Sequence, residues 1–393
     1  MKLLYLANNR IPSEKANSLQ IMQMCEAFQS LGTEVELIVP HRLQPKVMRH
    51  VTDPFAYYGV KTPFAIVRLP CVDALEIAPA PLQHPAFAFP SASFALAVAA
   101  YLSNHHADLY YSRDPLSTSL LALASPSIRW RSVYEAHTFP NPGRRRAVHL
   151  WGIRRISKVV CITRGLADEY RSHGVPENRI LVAPDAVDQA RFQGLPGKVE
   201  ARRTLEIPEA ARVVCYAGHL YPWKGVYTLA QASQLMPPDH LVYLVGGTEG
   251  DLNDLRRFVL EKGLDRIRLT GYVAPDRVAI YLAAADVLVL PNSAKDLRSS
   301  RYTSPMKMFE YMAARRPIVA SRLPSLQEVL RDGENSLLVE PDDPRSLAAG
   351  ILRVTSSDEL ASSLARRAWE EVQGFSWSAR ARAILDFVGG GEG

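Results

Sequence analysis

Residues 302–330 read YTSPMKMFEYMAARRPIVASRLPSLQEVL, a helix start, a lysine, a glutamate and a buried strand in close succession. Ser304 suits an N-cap and Pro305 the first helical position. The N–H groups of Met306 and Lys307 then lack intrahelical partners, and the helix dipole leaves roughly +0.5 charge at that end. Such an end attracts anions, phosphate above all. Glu310 lies one turn further on the face of Lys307, while Met306, Phe309 and Ala313 form an apolar, core-seeking stripe. The same spacing also fits an ordinary surface ion pair contributing ~0.2 to 0.5 kcal/mol. Spacing alone leaves both readings open.

The run PIVAS, residues 317–321, belongs to a series: RVVCYAG, LVYLVG, RIRLTG, DVLVLP, PIVAS and NSLLVE, with helical patterns between. The first half shows another, from KLLYLA through EVELIVP, AIVRLP, DLYYS and SVYEA to KVVCIT, with a helix over residues 18–31. Strands alternating with amphipathic stretches predict parallel sheets covered by helices. The fold class is therefore α/β, two doubly wound Rossmann-like domains, with RILVAPDAVDQARF (residues 179–192) as the crossing linker. The expected domains are residues 1–187 and 188–370, followed by a helical segment and tail over 371–393.

The length of 393 residues suits two domains rather than one core. Hydrophobic residues at 47% and charged residues at 22% describe a soluble globular chain. Cys25, Cys71, Cys161 and Cys215 form no C-x-x-C or Cys/His cluster, so neither a disulfide framework nor a zinc site is indicated and a reducing, cytoplasmic setting fits. The N-terminal apolar run is too short for a signal peptide and reads as a strand. Residues 77–107 lack charged side chains, but prolines interrupt them and the apolar run over 94–102 is far short of the ~20 residues of a membrane span. A buried helix started by Ser91 or Ser93 is expected there.

The whole net charge of +6 arises within residues 1–185, where 20 basic side chains face 14 acidic ones. The stretch from Arg144 to Lys158 concentrates this charge around Ala147, Val148, Leu150, Trp151 and Ile153. That pattern fits an interfacial helix on an anionic membrane at the inner face, and equally a solvated basic face on a helix packed against a sheet. No interleaving of aromatic and basic residues points to nucleic acid. No G-x-G-x-x-G follows the first strand and no Walker loop occurs, which disfavours a Rossmann dehydrogenase and a P-loop ATPase.

After RVVCYAG comes GHLYPWKGVYTLA, which puts Gly218, His219 and Lys224 at a strand-to-helix junction suited to phosphate. This loop and the Ser304 helix start both follow parallel strands, where open α/β sheets bind ligands.

SPMKMFEYMAARRPIVAS resembles the donor-site segment of the retaining glycosyltransferases of family four (glycosyl transferases group 1), which have the GT-B fold of two Rossmann-like domains facing a central cleft. In that family a Glu, seven residues and a second Glu form the signature. Glu310 matches the second, which binds the ribose. Tyr302 stands where the first, which contacts the donor sugar, usually lies, and a phenol cannot stabilise positive charge as a carboxylate does. The family's Gly-Arg…Lys-Gly loop is matched by Gly218, Lys224 and Gly225, with His219 replacing the arginine. The resemblance implies that Lys224 and Lys307 bind the diphosphate, together with the helix start formed by Thr303, Ser304, Pro305 and Met306.

It further implies that Gly246 and Gly247 lie near the donor, that Tyr272 and Val273 hold the base through the backbone, and that His137 touches the donor sugar. Asn17 and Ser18 would face the cleft, although they also fit a turn residue and a helix cap. Arg113 is placed for acceptor contact or for a local salt bridge with Asp114. The last helix, near FSWSARARAILDFV, would cross back to the first domain. The implied activity is transfer of a sugar from a UDP-, GDP- or ADP-sugar to a carbohydrate, lipid-linked or small-molecule acceptor, in glycan, glycolipid or metabolite glycosylation. Lys224, Glu310 and His137 would be catalytic. With no D-x-D in the chain, no metal or other cofactor is implied. A sugar nucleotide epimerase and a non-catalytic sugar-nucleotide-binding protein are the alternatives.

Overall fold

Near-continuous apolar runs make strands that can be buried on both faces, and in the first half of the chain they assemble into one parallel sheet. The computed structural model describes residues 1–44, 48–72 and 88–390. The strands are β1 (Lys2–Leu6), β2 (Glu34–His41), β3 (Ala65–Pro70), β4 (Leu109–Ser112), β5 (Ser132–Ala136), β6 (Lys158–Cys161) and β7 (Ile180–Val182), in the order β3-β2-β1-β4-β5-β6-β7. The second half gives β8 (Arg212–Ala217), β9 (His240–Val245), β10 (Ile267–Gly271), β11 (Val287–Leu290), β12 (Ile318–Ser321) and β13 (Leu337–Val339), in the order β10-β9-β8-β11-β12-β13. Every strand pair in both sheets is parallel. Strand order reverses between β1 and β4 and between β8 and β11, the switch points at which doubly wound sheets open a crevice.

The chain divides into a first unit, Met1–Pro184 with Trp377–Gly393, and a second, Asp185–Ser376. The division falls a few residues before the expected 187/188 boundary because the linker is tied to the second unit. The Asp185 N–H donates to Ser304 Oγ (3.1 Å) and the Val187 N–H to Phe375 O (3.0 Å). Phe375 in turn packs on Phe309 with ring centroids 5.0 Å apart. The crossing segment accordingly begins at Trp377 rather than 371, and its helix Trp377–Gly389 lies against the helix Ala16–Ser30 of the first unit. Of the glycine-rich tail, residues 391–393 lie outside the described residues.

Three helix starts differ from expectation for one reason: the serine hydroxyls are used elsewhere. The helix expected from Ser18 begins at Ala16, and the buried Ser18 donates to Arg10 O (3.2 Å). The helix expected at Ser91 or Ser93 begins at Ala88 with Pro90 in its first turn, while Ser93 Oγ accepts from the Val72 N–H (2.9 Å). Residues 77–87 of the uncharged stretch lie outside the described residues. The third case is Ser304, taken up below. No described helix is long and apolar enough to cross a membrane.

The basic segment forms the helix Arg144–Ile153, with His149, Leu150 and Ile153 buried in the first unit. Arg144, Arg145, Val148, Arg154 and Arg155 are exposed, and the Arg155 guanidinium lies 4.1 Å from the Trp151 ring centre. Of its apolar side chains, Leu150 and Ile153 are thus spent on the domain interior, while Ala147 and Val148 stay exposed.

Candidate functional site: a buried cationic pole at the β8/β11 switch point

The loops leaving β8 and β11 pack so closely that residue 225 has room for no side chain. Gly225 has φ +75°, and a Cβ there would stand 1.7 Å from Pro291 O. The Ser293 N–H donates to Trp223 O (3.1 Å), closing the same contact. This fixes the short 3-10 turn Pro222–Lys224, and Lys224 Nζ lies 3.9 Å from the centre of the Trp223 ring.

From the other side comes the helix Met306–Ala313. Its cap residue is Pro305 rather than Ser304, with no side-chain cap bond, because Ser304 Oγ is occupied by the Asp185 N–H. Met308, Phe309 and Met312 enter the core, whereas Met306, expected there, is only half-buried. Lys307 Nζ lies 3.7 Å from the Tyr216 ring centre, is buried, and has no hydrogen-bond partner. Gly218 leaves the room for it, since a Cβ at 218 would stand 2.7 Å from that nitrogen.

Two ammonium groups are thus gathered beside the more exposed Arg298, whose guanidinium is paired with Asp296. Burial, then the neighbouring Arg298, pushes Lys224 down to about 7, against the pull of Asp296. Burial and Lys224 lower Lys307 well below the ordinary lysine range, against Glu310 and Cys215. Glu310 is raised by burial, against Arg191 and Lys307. No ion pair joins Lys307 to Glu310 among the described residues, so the surface-pair reading is set aside. Buried charges normally carry a partner; Asp296 serves Arg298 and acts on Lys224, whereas Lys307 Nζ has no hydrogen-bond partner among the described residues.

Other expected donor-side residues fall nearby with differing roles. Gly246 and Gly247 serve backbone packing: added Cβ atoms would lie 2.7 Å from Gly218 O and 2.6 Å from Leu220 Cδ1. The Gly246 N–H donates to Gly271 O (3.0 Å), drawing in the loop that carries exposed Tyr272 and half-buried Val273. His219 stacks on Tyr221 with ring centroids 5.1 Å apart. Tyr302 is buried, 6% exposed, at the end of the single π turn Arg298–Tyr302, and Thr303 continues extended. Sequence reasoning missed Arg298, whose head pairs with Asp296 (2.6 Å), and Asn292, fully buried with an unpartnered Oδ1 beside Gly225. A basic and an acidic residue two apart in KDLRSS was the available signal for the first.

In the first unit, Glu135, the penultimate residue of β5, is fully buried and accepts four hydrogen bonds. Gln20 Nε2 (2.7 Å) and His137 Nε2 (2.5 Å) meet Oε1; Tyr111 and Arg380 Nη1 (3.0 Å) meet Oε2. Arg113 donates to Gln20 Oε1 (2.6 Å) and to Asn17 O (3.4 Å). Asp114 instead caps the helix Pro115–Leu123 through the Ser117 N–H (2.7 Å), and the alternative of a local Arg113–Asp114 bridge is not found among the described residues. Asn17 Oδ1 is buried without a partner, and Ser18 is buried rather than presented at a surface. Sequence reasoning foresaw neither Glu135 as the partner of His137 nor Arg380 as a partner of Glu135.

A separate cavity of about 450 Å³ in the second unit touches Arg315, Arg316 and Trp369 at the far end of the Lys307 helix. Arg316 there donates to Ala283 O (2.6 Å), closing off the end of the helix Pro275–Ala284.

Comparison with known proteins finds matches in both halves of the chain. The family model described as Glycosyltransferase Family 4 matches residues 19–191, and that described as Glycosyl transferases group 1 matches residues 211–357. A D-inositol 3-phosphate glycosyltransferase of Corynebacterium efficiens is 29% identical over 232 residues, 56% of this chain and 53% of its own length. The lipopolysaccharide core biosynthesis glycosyltransferase LpsE of Rhizobium meliloti is 30% identical over 240 residues, 60% of this chain and 65% of its own. This chain spans about half the length of the D-inositol 3-phosphate enzymes it matches. Among solved structures, sucrose-phosphate synthase from Thermosynechococcus elongatus superposes with a TM-score of 0.79 at 20% identity, covering 98% of each chain. Anabaena Alr3699/HepE in complex with UDP gives 0.77 at 18%, covering 99% of this chain and 100% of that one. Two glycosyltransferase family models thus match segments that together span most of the chain, one mainly in each sheet unit, and its fold is GT-B.

Proposed function

We propose that the protein is a retaining, metal-independent hexosyltransferase that moves a sugar from a nucleoside diphosphate sugar, UDP-linked by analogy with the ligand of Alr3699/HepE, to an acceptor hydroxyl. The observation that carries this reading is the buried Lys307 ammonium without a hydrogen-bond partner, adjoining Lys224 at the switch point. A diphosphate supplies the missing charge, and the uncapped N–H groups of Met306 and Lys307 add donors. Glu310 holds ribose hydroxyls, and Tyr272 and Val273 lie along the base. The bond from the anomeric carbon to the phosphate oxygen breaks while the acceptor oxygen attacks the same face. The acceptor proton passes to a phosphate oxygen, so no pair of protein carboxylates is required. Lys224, Lys307 and Arg298 stabilise the charge that develops on the leaving group. His137, Asn17 and Arg113 serve the sugar and acceptor side, the acceptor being a carbohydrate, a lipid-linked glycan or a small molecule, as the relatives' names suggest.

Thermal-shift measurements with UDP-, GDP- and ADP-glucose test the donor, because a ligand that binds only the folded state raises its melting temperature. Stabilisation by one of them, with Lys307→Ala abolishing it, is expected; no response to any sugar nucleotide would sink the reading. Proton NMR of the product's anomeric signal tests retention. A second reading, a sugar-nucleotide-binding protein without transferase activity, is favoured by one observation, buried Tyr302 in place of the family's first glutamate. Tight donor binding without hydrolysis or transfer would select it. The exposed Arg144, Arg145 and Arg155 would hold the protein at the anionic cytoplasmic face of a membrane, and failure to sediment with anionic liposomes at low salt would remove that part.

A further inference from the structure

The Glu135 carboxylate leaves no lone-pair position idle. Its side chain is 0% exposed, and each oxygen takes two donors, from Gln20 and His137 on one side and Tyr111 and Arg380 on the other. An ionised carboxylate only accepts, so each facing atom must bring a hydrogen. For His137 this concerns Nε2, and among the described residues Nδ1 has no hydrogen-bond partner, while 18% of the side chain remains exposed. Gln20 is oriented from behind, because Arg113 donates to its Oε1 and thereby turns its NH2 toward Glu135.

We propose that Glu135 is a positioning residue: it holds His137 as the Nε2–H tautomer and so presents Nδ1 as a hydrogen-bond acceptor to a carbohydrate hydroxyl. The carboxylate is itself anchored by Arg380 of the last helix, Tyr111 of β4 and Gln20 of the first. The assignment deepens the function proposed above and rests on it only for the identity of the hydroxyl. The charged groups facing the ring are Glu135, Arg113 and Arg380. Burial, with Arg113 and Arg380, brings His137 down to about 4 against the opposing pull of Glu135, so the ring is neutral near pH 7 and its tautomer decides what it offers. A ligand lacking that hydroxyl, deoxy or O-methylated, loses the contact. A merely structural Glu135–Arg380 pair would tie the last helix down but set no ring tautomer.

Long-range proton–nitrogen NMR on the full chain labelled with nitrogen-15 histidine separates the two. His137 is identified by the signal missing from His137→Gln. The wild type is expected to show the Nε2–H pattern from pH 6 to 8, and Glu135→Gln, whose amide can turn its NH2 to the ring, to move toward Nδ1–H. An Nδ1–H or averaged pattern in the wild type, or an unchanged tautomer in a folded Glu135→Gln, overturns the proposal. The wild-type spectrum decides alone should that variant not fold. In turnover of UDP-glucose, Glu135→Gln is expected to lose about 10- to 100-fold in kcat/KM, by analogy with the outer partners that orient metal-bound histidines. Absence of turnover by the wild type, with the Nε2–H pattern intact, strikes the transferase reading and leaves the tautomer assignment supported.

Discussion

A buried donor without an acceptor costs a folded protein about 1–3 kcal/mol, and more when charged, so Lys307→Met is expected to raise the melting temperature of the second unit. The same change removes a charge that the proposed leaving group requires, and about 10²- to 10³-fold of kcat should go with it. Calorimetric melting and a turnover assay check the two together; a destabilised variant would mean that the ammonium is structural. Lys224 makes the complementary case in pH. Its proton is lost at about 7 in the folded, ligand-free chain, with Arg298 and Asp296 as its charged neighbours. In the unfolded chain it is held to ~10.4. Between those values the unfolded state binds more protons, so this group's contribution to stability rises with pH and disappears as pH falls through about 7. An arriving diphosphate favours the charged form, so binding at pH 8 is expected to take up a proton. Calorimetric titration of UDP in buffers of unlike ionisation enthalpy measures this, and identical heats in both would contradict it.

Among elements, the contact between the loops after β8 and β11 is the least forgiving. A methyl at position 225 would stand 1.7 Å from a backbone carbonyl oxygen at positive φ, a clash no side-chain rotation relieves. Gly225→Ala should therefore destabilise the second unit by about 3 kcal/mol or more, measured by urea unfolding, while Gly197→Ala, with nothing within 4 Å, should not. Strands were legible because RVVCYAG or KLLYLA carry their burial in their composition. Helix starts were not, since Ser18, Ser93 and Ser304 look like caps locally and spend their hydroxyls on Arg10, Val72 and Asp185. Of the candidate site, Lys224, Lys307 and the glycines stood out by resemblance to the family's loops, spacing alone leaving them open. Arg298, Asn292 and Arg380 did not, because only packing between distant segments puts them where they act.

At the scale of the molecule, the first unit is assembled from two separated pieces of chain. Arg380 donates to Glu135 (3.0 Å) and to the carbonyl oxygens of Ala183 (3.2 Å) and Pro184 (2.9 Å), sealing the end of that unit. Breaking one partner of a buried pair costs about 3–5 kcal/mol, so Arg380→Met should lower the stability of the first unit by roughly that amount. The second unit should melt unchanged, as hydrogen exchange resolved by segment can show.

The same pairing also orders events in time on the ribosome. Glu135 is made early and its arginine roughly 245 residues later, a wait of about 12–50 s at ~5–20 residues per second. Until then the first unit holds a carboxylate without its arginine, whereas the second unit is complete in sequence at Ser376, before Arg380 is made. A released chain truncated after Ser376 is therefore expected to be cut by protease in residues 1–184 and spared in 185–376, whereas the full chain resists in both. Equal resistance of the two halves in the truncated chain would show that the first unit closes without its final helix.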